Sequence, residues 1–322
     1  MARQGTAAPP SAAGTRAPAY RGRFAPSPTG PLHFGSLVAA LGSWLDARAH
    51  GGEWLVRIED LDPPREVPGA AAAILAALET LGLHWDGPVL HQSTRGERYA
   101  EALARLEEAG HAYRCACSRA RVARLARRHG PLGPVYPGTC RTGAPSRGPH
   151  AVRVRVDGSE AAFDDRLQGR HGASLAEAVG DFVVRRRDGL TAYHLAVVVD
   201  DTDQGVTDVV RGADLLEATW CHLHLQRLLG LPSPRYLHLP VATGPDGAKL
   251  SKQTGAAPVN LRRPGAALER ALAFLGHPVP RCLRGAPPGE LLAWATDRWS
   301  VRRVPPVRVQ PACGTPSGSC GL

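Results

Sequence analysis

The chain has 322 residues, 43% of them hydrophobic, which suffices for one large α/β domain with a small appendage and a sizeable core. No apolar run approaches the ~20 residues of a membrane span, and an odd count of seven cysteines in so long a chain excludes a disulfide scaffold as its organising principle. The formal net charge of +10 points to a polyanionic partner such as RNA, the competing explanation being a composition biased toward Ala, Gly, Pro and Arg.

Residues 1–19 are rich in Ala, Pro, Ser and Thr and contain no acid, so they read as a disordered extension. They lack the apolar core of a secretory signal, which leaves the cytoplasm as the expected location. Residues 20–25 read as a short strand entering the turn Pro26-Ser-Pro-Thr-Gly30. A helix follows, with Leu37, Ala40, Leu41, Trp44 and Leu45 on one face and Ser36 as its expected N-cap. Residues 54–58 give a second strand ending in Glu59-Asp60, and helices are expected over 70–81 and 95–109, the latter stopped by Gly110. The alternation predicts a parallel sheet covered by helices.

From Cys115 the texture changes. Residues 115–141 are Arg-rich and punctuated by Gly and Pro. Residues 151–156 alternate, and Phe163, residues 182–184 and the turn Arg187-Asp-Gly189 predict antiparallel pairing. This stretch reads as an insertion between two halves of the sheet. The α/β pattern resumes with residues 191–199 as a buried strand ended by Asp200-Asp201, then a strand at 206–210, a helix at 213–229 and a strand at 236–239. Beyond these, one helix is expected around 266–275, and the chain from Val301 reads as disordered.

Two loops carry chemistry. The first, Arg23-Phe-Ala-Pro-Ser-Pro-Thr-Gly-Pro-Leu-His33-Phe-Gly-Ser36, has prolines that rigidify it and glycines that admit a ligand close to backbone, and it opens a helix whose free N–H groups suit phosphate. His33 there can donate to a phosphoryl oxygen as charge moves onto departing pyrophosphate. The second is Lys249-Leu-Ser-Lys252-Gln253. The chain has only two lysines, and both lie in this loop. Where Arg is otherwise used throughout, that points to a need for compact ammonium groups over a triphosphate. No Walker A string or Gly-x-Gly-x-x-Gly occurs, so neither a P-loop enzyme nor a dinucleotide enzyme is supported.

The two loops resemble the His-Ile-Gly-His and Lys-Met-Ser-Lys-Ser signatures of class I aminoacyl-tRNA synthetases. Arg23-Phe-Ala-Pro-Ser-Pro-Thr-Gly, Arg57-Ile-Glu-Asp60 and Val210-Arg-Gly-Ala-Asp214 resemble the glutamyl-tRNA synthetase branch, in collinear order over about residues 20–255. Ile58-Glu-Asp-Leu-Asp-Pro-Pro-Arg-Glu-Val-Pro-Gly69 and Asp188-Gly-Leu-Thr-Ala-Tyr-His-Leu-Ala-Val-Val-Val-Asp-Asp201 are similar to the glutamyl-Q tRNA(Asp) synthetase family, a catalytic domain without the anticodon-binding portion. Some seventy residues follow Lys252, fewer than a separate anticodon-reading domain of ~100–150 residues needs. Ser36 and Gln253 depart from the signatures without removing His33, Lys249 or Lys252.

The resemblance implies an α/β fold: a Rossmann-like class I synthetase catalytic domain (20–114 and 188–256), an inserted α+β zinc-containing subdomain (115–187), a short C-terminal helical segment (257–300) and a disordered tail (301–322). It implies His33, Lys249 and Lys252 as catalytic residues and His33, Gly35 and Lys252 as the ATP contacts. Arg23, Phe24, Ala25, Pro26, Ser27, Glu59, Tyr193 and Arg211 would form the glutamate pocket. Arg23 and Arg211 suit substrate carboxylates and Glu59 suits the α-ammonium. ATP with Mg²⁺ would yield glutamyl-adenylate and pyrophosphate by positioning and electrostatics alone. The glutamyl group would then pass to queuosine in the anticodon stem-loop of tRNA(Asp), the enzyme acting as a monomer. Alternatives are a truncated glutamyl-tRNA synthetase charging the 3′ end of tRNA(Glu), and a paralogue that only binds RNA or nucleotide.

Cys115-Ala-Cys117 and Cys140 are one thiol short of a structural zinc shell. The family resembles this spacing with Tyr as fourth ligand, which here is Tyr136; His111 and His129 are the alternatives, and three metal-free thiols a further one. The adjacent Arg119, Arg121, Arg124, Arg127 and Arg128 form a basic stretch fit either for RNA phosphates or for solvent.

Overall fold

The computed structural model describes residues 19–143, 148–158, 160–244, 247–250 and 257–312. Strand β1 (Arg21–Phe24) feeds helix α1 (Phe34–Ala49), and β2 (Glu53–Ile58) returns parallel to β1 with Arg23 opposite Leu55. After helix α2 (Ala70–Thr80), β3 (Leu90–His91) extends the parallel sheet, and α3 (Gly96–Glu108) follows. Leu37, Leu41 and Leu45, spaced four apart on α1, are fully buried, so helix and sheet form one apolar layer.

The middle of the chain begins with β4 (Ala112–Cys115), α4 (Arg119–Leu125) and the hairpin β5 (His129–Gly130) and β6 (Gly133–Pro134). It continues with β7 (Ala151–Val154), β8 (Glu160–Asp165), β9 (Gly169–Ser174), α5 (Leu175–Ala178) and β10 (Phe182–Arg185). β10, β7 and β4 make an antiparallel sheet, as the alternation at 151–156 predicts. The expected turn after Arg185 is present, with Gly189 N donating to the Arg186 carbonyl.

Helix α6 (Tyr193–Asp203) follows, then β11 (Asp208–Gly212), α7 (Ala218–Leu229), β12 (Arg235–Leu239) and the short β13 (Val241–Thr243). β11 and β12 run parallel. β1 lies alongside β11, tied by Thr207 N to the Arg21 carbonyl at 3.0 Å and Arg21 N to Thr207 Oγ1 at 2.8 Å. The two halves of the sheet therefore meet at β1 and β11, where the strand order reverses and open α/β sheets bind their ligands. Finally α8 (Pro264–Phe274) and α9 (Pro288–Arg298) pack on α1, and β14 (Val309–Pro311) pairs parallel with β13.

Four expectations need correction. Residues 191–199 are not a strand: from Tyr193 onward they lie in α6, its Leu195 to Asp201 all buried. A helix packed on every side loses its polar face and shows the same unbroken apolar run as a central strand. The hairpin β8–β9 falls within the expected insertion yet joins the second half of the main sheet, Asp165 pairing in register with Tyr236 of β12. The C-terminal segment contains a second helix, α9, whose Leu291, Leu292 and Ala295 are buried. Residues 301–312 of the expected tail are ordered, because Trp299 Nε1 donates to Asp46 at 2.9 Å and β14 finds an open strand edge; the other residues expected to be disordered, 1–18 and 313–322, lie outside the described residues.

Candidate active site

The loop leaving β1 crosses the meeting point of the half-sheets. Gly30, at φ 137°, adopts a backbone that side chains rarely take. The helix behind it starts at Phe34, earlier than expected, so its N-cap is His33 and not Ser36. His33 Nδ1 accepts from Ser36 N at 3.3 Å, which leaves the ring proton on Nε2, 3.0 Å from Ser36 Oγ. A Cβ on Gly35 would meet the His33 ring at 3.2 Å and the Leu250 carbonyl at 3.3 Å; glycine is what lets the lysine loop lie so near the helix start.

Lys249 pairs with Asp214 at 2.5 Å, and Leu250 N donates to the Ala242 carbonyl at 2.8 Å. Lys252 and Gln253 lie outside the described residues. On the far side of the loop, Val259 N donates to the Leu32 carbonyl at 2.8 Å and Pro258 bridges His33. Both described flanks of the loop are thus anchored beside the first signature. Between them is a cavity of about 450 Å³ lined by Phe24, Ala25, Pro26, Ser27, His33, Gly35, Asp214 and Lys249.

A second cavity, about 730 Å³, is lined by Ser27, Glu59, Gln92, Tyr193 and His194, and on its outer wall by Cys117, Tyr136 and Arg153. Ser27 and Thr29 border both cavities. Arg23 and Arg211 are not among the residues lining either one; they lie beneath, 3% and 5% exposed. Arg23 Nε reaches Asp201 Oδ1 at 3.1 Å, and the fully buried Arg57 contacts Asp201 at 2.8 Å and Glu59 at 3.6 Å. Burial opposes ionisation of Asp201, but Arg23 and Arg57 outweigh it and hold the carboxyl below its usual range. For Glu59 burial wins: Arg57 and Arg23 pull against it, Asp201 and Asp200 push with it, and the carboxyl is raised to about 7. Burial also raises the Tyr193 phenol to about 12. Glu59 is therefore a carboxyl poised to ionise when a cation arrives.

Beside the larger cavity, which Cys117 lines, the sulfurs of Cys115, Cys117 and Cys140 all lie within 4.8 Å of one another. Cys117 Sγ and Cys140 Sγ are 3.8 Å apart, and the Tyr136 hydroxyl is 3.3 Å from Cys115 Sγ and 3.8 Å from Cys117 Sγ. A tetrahedral shell with metal–sulfur bonds of about 2.3 Å has edges of about 3.8 Å. All four residues are buried, and among the described residues neither His111 nor His129 joins the metal-capable group.

Sequence reasoning missed several groups that shape this site. Asp201 was visible only as the polar end of an apolar run; its burial at 5%, beneath Arg23 and Arg57, depends on the helix that was not anticipated. Asp200, fully buried, takes hydrogen bonds from Tyr99, Gln92 and Arg95. His222, His238 and Asp165 come from α7, β12 and β8 and carried no motif.

Residues 19–265 match the family model described as "tRNA synthetases class I (E and Q), catalytic domain". Among curated relatives, a glutamyl-Q tRNA(Asp) synthetase of Dechloromonas aromatica is 58% identical over 289 residues, covering 89% of this chain and 96% of the relative. One from Ectopseudomonas mendocina is 54% identical over 287 residues, with 89% and 95% covered. The solved glutamate-tRNA synthetase of Elizabethkingia anophelis superposes with a TM-score of 0.73 at 24% identity, covering 90% of this chain and 67% of that one, a likeness of fold. The chain belongs to the glutamyl-Q tRNA(Asp) synthetases, within the class I (E and Q) tRNA synthetase catalytic domains.

Proposed function

We propose that the chain activates glutamate with ATP, supplied as its magnesium complex, and transfers the glutamyl group to queuosine in the anticodon stem-loop of tRNA(Asp). The observation that carries this reading is the pair of cavities joined at Ser27 and Thr29. Attack of a carboxylate on the α-phosphorus needs nucleotide and amino acid in adjoining sites at near-contact distance. The smaller cavity takes ATP against Gly35 and the start of α1, with His33, Lys249 and Lys252 stabilising charge on departing pyrophosphate. Lys249 must exchange its Asp214 partner for phosphate, a step that couples loop and nucleotide.

The larger cavity takes glutamate, its α-ammonium on Glu59 and its carboxylates toward Arg23 and Arg211, with Ser27 and Tyr193 in the lining and Phe24, Ala25 and Pro26 completing the pocket from the side of the smaller cavity. Its outer wall and the exposed Arg119, Arg121, Arg124, Arg127 and Arg128 face RNA phosphates. Cys115, Cys117, Tyr136 and Cys140 hold one Zn²⁺ as a closed structural site; three thiols and a phenol at tetrahedral spacing are a donor set that suits it. When bound, the ion cross-links β4 to the loop before β7. The enzyme works as a cytoplasmic monomer; among the described residues no helix is long and apolar enough to cross a membrane.

The test is glutamate-dependent ATP–pyrophosphate exchange without RNA, followed by acyl transfer to queuosine-containing tRNA(Asp), to the same tRNA lacking queuosine, and to tRNA(Glu). Exchange with glutamate and transfer to the queuosine-bearing tRNA alone are expected. Transfer to tRNA(Glu) alone would overturn the acceptor, and absence of exchange with every amino acid would overturn the activity.

A further inference from the structure

Arg211 is held differently from the other two arginines of the site. Arg23 and Arg57 each pair with a carboxylate, whereas the hydrogen-bond partners of the Arg211 guanidinium are all neutral. Its Nε reaches His238 Nε2 at 3.0 Å, and its Nη2 reaches Thr219 Oγ1 at 2.8 Å and the Leu215 carbonyl at 3.1 Å. Nη1 makes longer contacts, 3.4 Å each, to the Tyr193 hydroxyl and His222 Nδ1.

A guanidinium can only donate, so the ring nitrogens facing it must be lone pairs. For His238 this follows from the other side of the ring: Nδ1 is 2.7 Å from Asp165 Oδ2 and carries the proton there, leaving Nε2 to accept. For His222, Nδ1 accepts from Arg211, so the proton is on Nε2, 3.3 Å from His194 Nδ1. His194 in turn lines the glutamate cavity. Burial, reinforced by Arg211, keeps His222 well below the usual range and His194 at about 4. His238 is lowered by burial to about 4 even with Asp165 pulling the other way. The rings stay neutral, and the site keeps a buried cation in a fixed, acceptor-only cradle.

We propose that His222 and His238 are positioning residues that hold Arg211 rigid and without a carboxylate partner, so that its charge is reserved for a carboxylate of the amino-acid substrate. This rests on the glutamate reading above. The strong bonds to His238, Thr219 and Leu215 fix the plane of the fork. The two long Nη1 contacts are the ones a carboxylate displaces, and Tyr193 and His222 lie where its arrival is felt.

Glutamate-dependent exchange in four variants tests this. Thr219→Asp places an internal carboxylate against Nη2, and glutamate KM should rise at least about tenfold, the loss of one charge-assisted hydrogen bond, with ATP KM unchanged. Thr219→Asn, equal in shape to the Asp variant but uncharged, should raise glutamate KM several-fold less than Thr219→Asp does. His222→Leu should raise glutamate KM about tenfold. His222→Asn, whose amide oxygen takes the place of Nδ1, should restore it. Equal effects of the Asp and Asn variants at 219, or an unchanged glutamate KM in Thr219→Asp and His222→Leu, would overturn the proposal. ATP KM reports folding in each variant, and if His222→Leu does not fold, the pair at 219 decides. A wild-type protein with no glutamate-dependent exchange would sink the functional reading itself; wild-type exchange with indifferent variants would sink only the role of the histidines.

Discussion

Glu59→Gln separates the cost of this site from its use. The Glu59 carboxyl, raised from 4.5 to about 7, binds its proton more tightly in the folded state than in the unfolded chain. A raised carboxyl adds stability that is complete below pH 4.5 and is lost as pH climbs to about 7. At about 1.4 kcal/mol per pH unit, the ionised group costs the fold on the order of 3 kcal/mol at pH 8. Its side chain is only 11% exposed, so little of that is screened by solvent. Gln has nearly the shape of the protonated acid and cannot ionise. The variant should match wild type in urea unfolding at pH 5 and exceed it by about 2–3 kcal/mol at pH 8. A carboxylate held low away from this site, such as Asp181, titrates in the acid range in both proteins and cancels in the difference.

The same substitution should weaken glutamate. An ammonium against ionised Glu59 is a charge-assisted contact worth about 1.5–3 kcal/mol, so glutamate KM should rise roughly ten- to hundredfold. In wild type the substrate must expel the proton below about pH 7, and KM should climb about fivefold between pH 7 and pH 6. In Glu59→Gln that slope should vanish. Equal stability differences at pH 5 and pH 8, or a glutamate KM that ignores both pH and the substitution, would refute the reasoning.

Further outcomes follow from other contacts. Asp201→Asn takes the carboxylate from Arg23 and Arg57 and should cost about 3–5 kcal/mol in chemical unfolding, the penalty of stranded buried charge. Gly35→Ala forces the His33 ring or the Leu250 carbonyl back by a few tenths of an ångström, so ATP KM should rise several-fold in the exchange assay while glutamate KM holds. Cys140→Ser should lower zinc per chain by metal analysis, and Tyr136→Phe should speed zinc loss to a chelator; unchanged metal content in Cys140→Ser would refute the site.

What could be read from sequence was what is local. Strand β1, the Pro-Gly turn and α1 announce themselves within thirty residues, and the lysine pair was conspicuous because Arg is used elsewhere. The cysteines point by type and spacing to a metal-capable cluster, and Tyr136 falls beside them in the structure. What was illegible depends on burial from several directions. Helix α6 is covered on all sides and so lost its period, and with it went the position of Asp200 and Asp201. The cradle of Arg211 draws Asp165 from β8, Tyr193 from α6, Thr219 and His222 from α7 and His238 from β12, with no spacing that a pattern could reveal.

The C-terminal segment shows how a composition rule fails in a physically specific way. Pro, Val and Arg after residue 301 look like a tail because no apolar period survives there. Yet a strand that lies on a sheet edge needs little side-chain burial, since its backbone groups supply the contact. Val241 N donates to the Arg308 carbonyl and Ala312 N to the Thr243 carbonyl, 2.9 Å each, and Arg308 pairs with Glu217 at 2.6 Å. The strand braced this way is β13, whose other contacts are Ala242 to Leu250 and Thr243 to Lys249. The last described segment of the chain therefore supports the strand from which the lysine loop departs. That connects a stretch with no motif to the loop that carries the clearest one, and it explains why order there outlasts the disorder its composition implies.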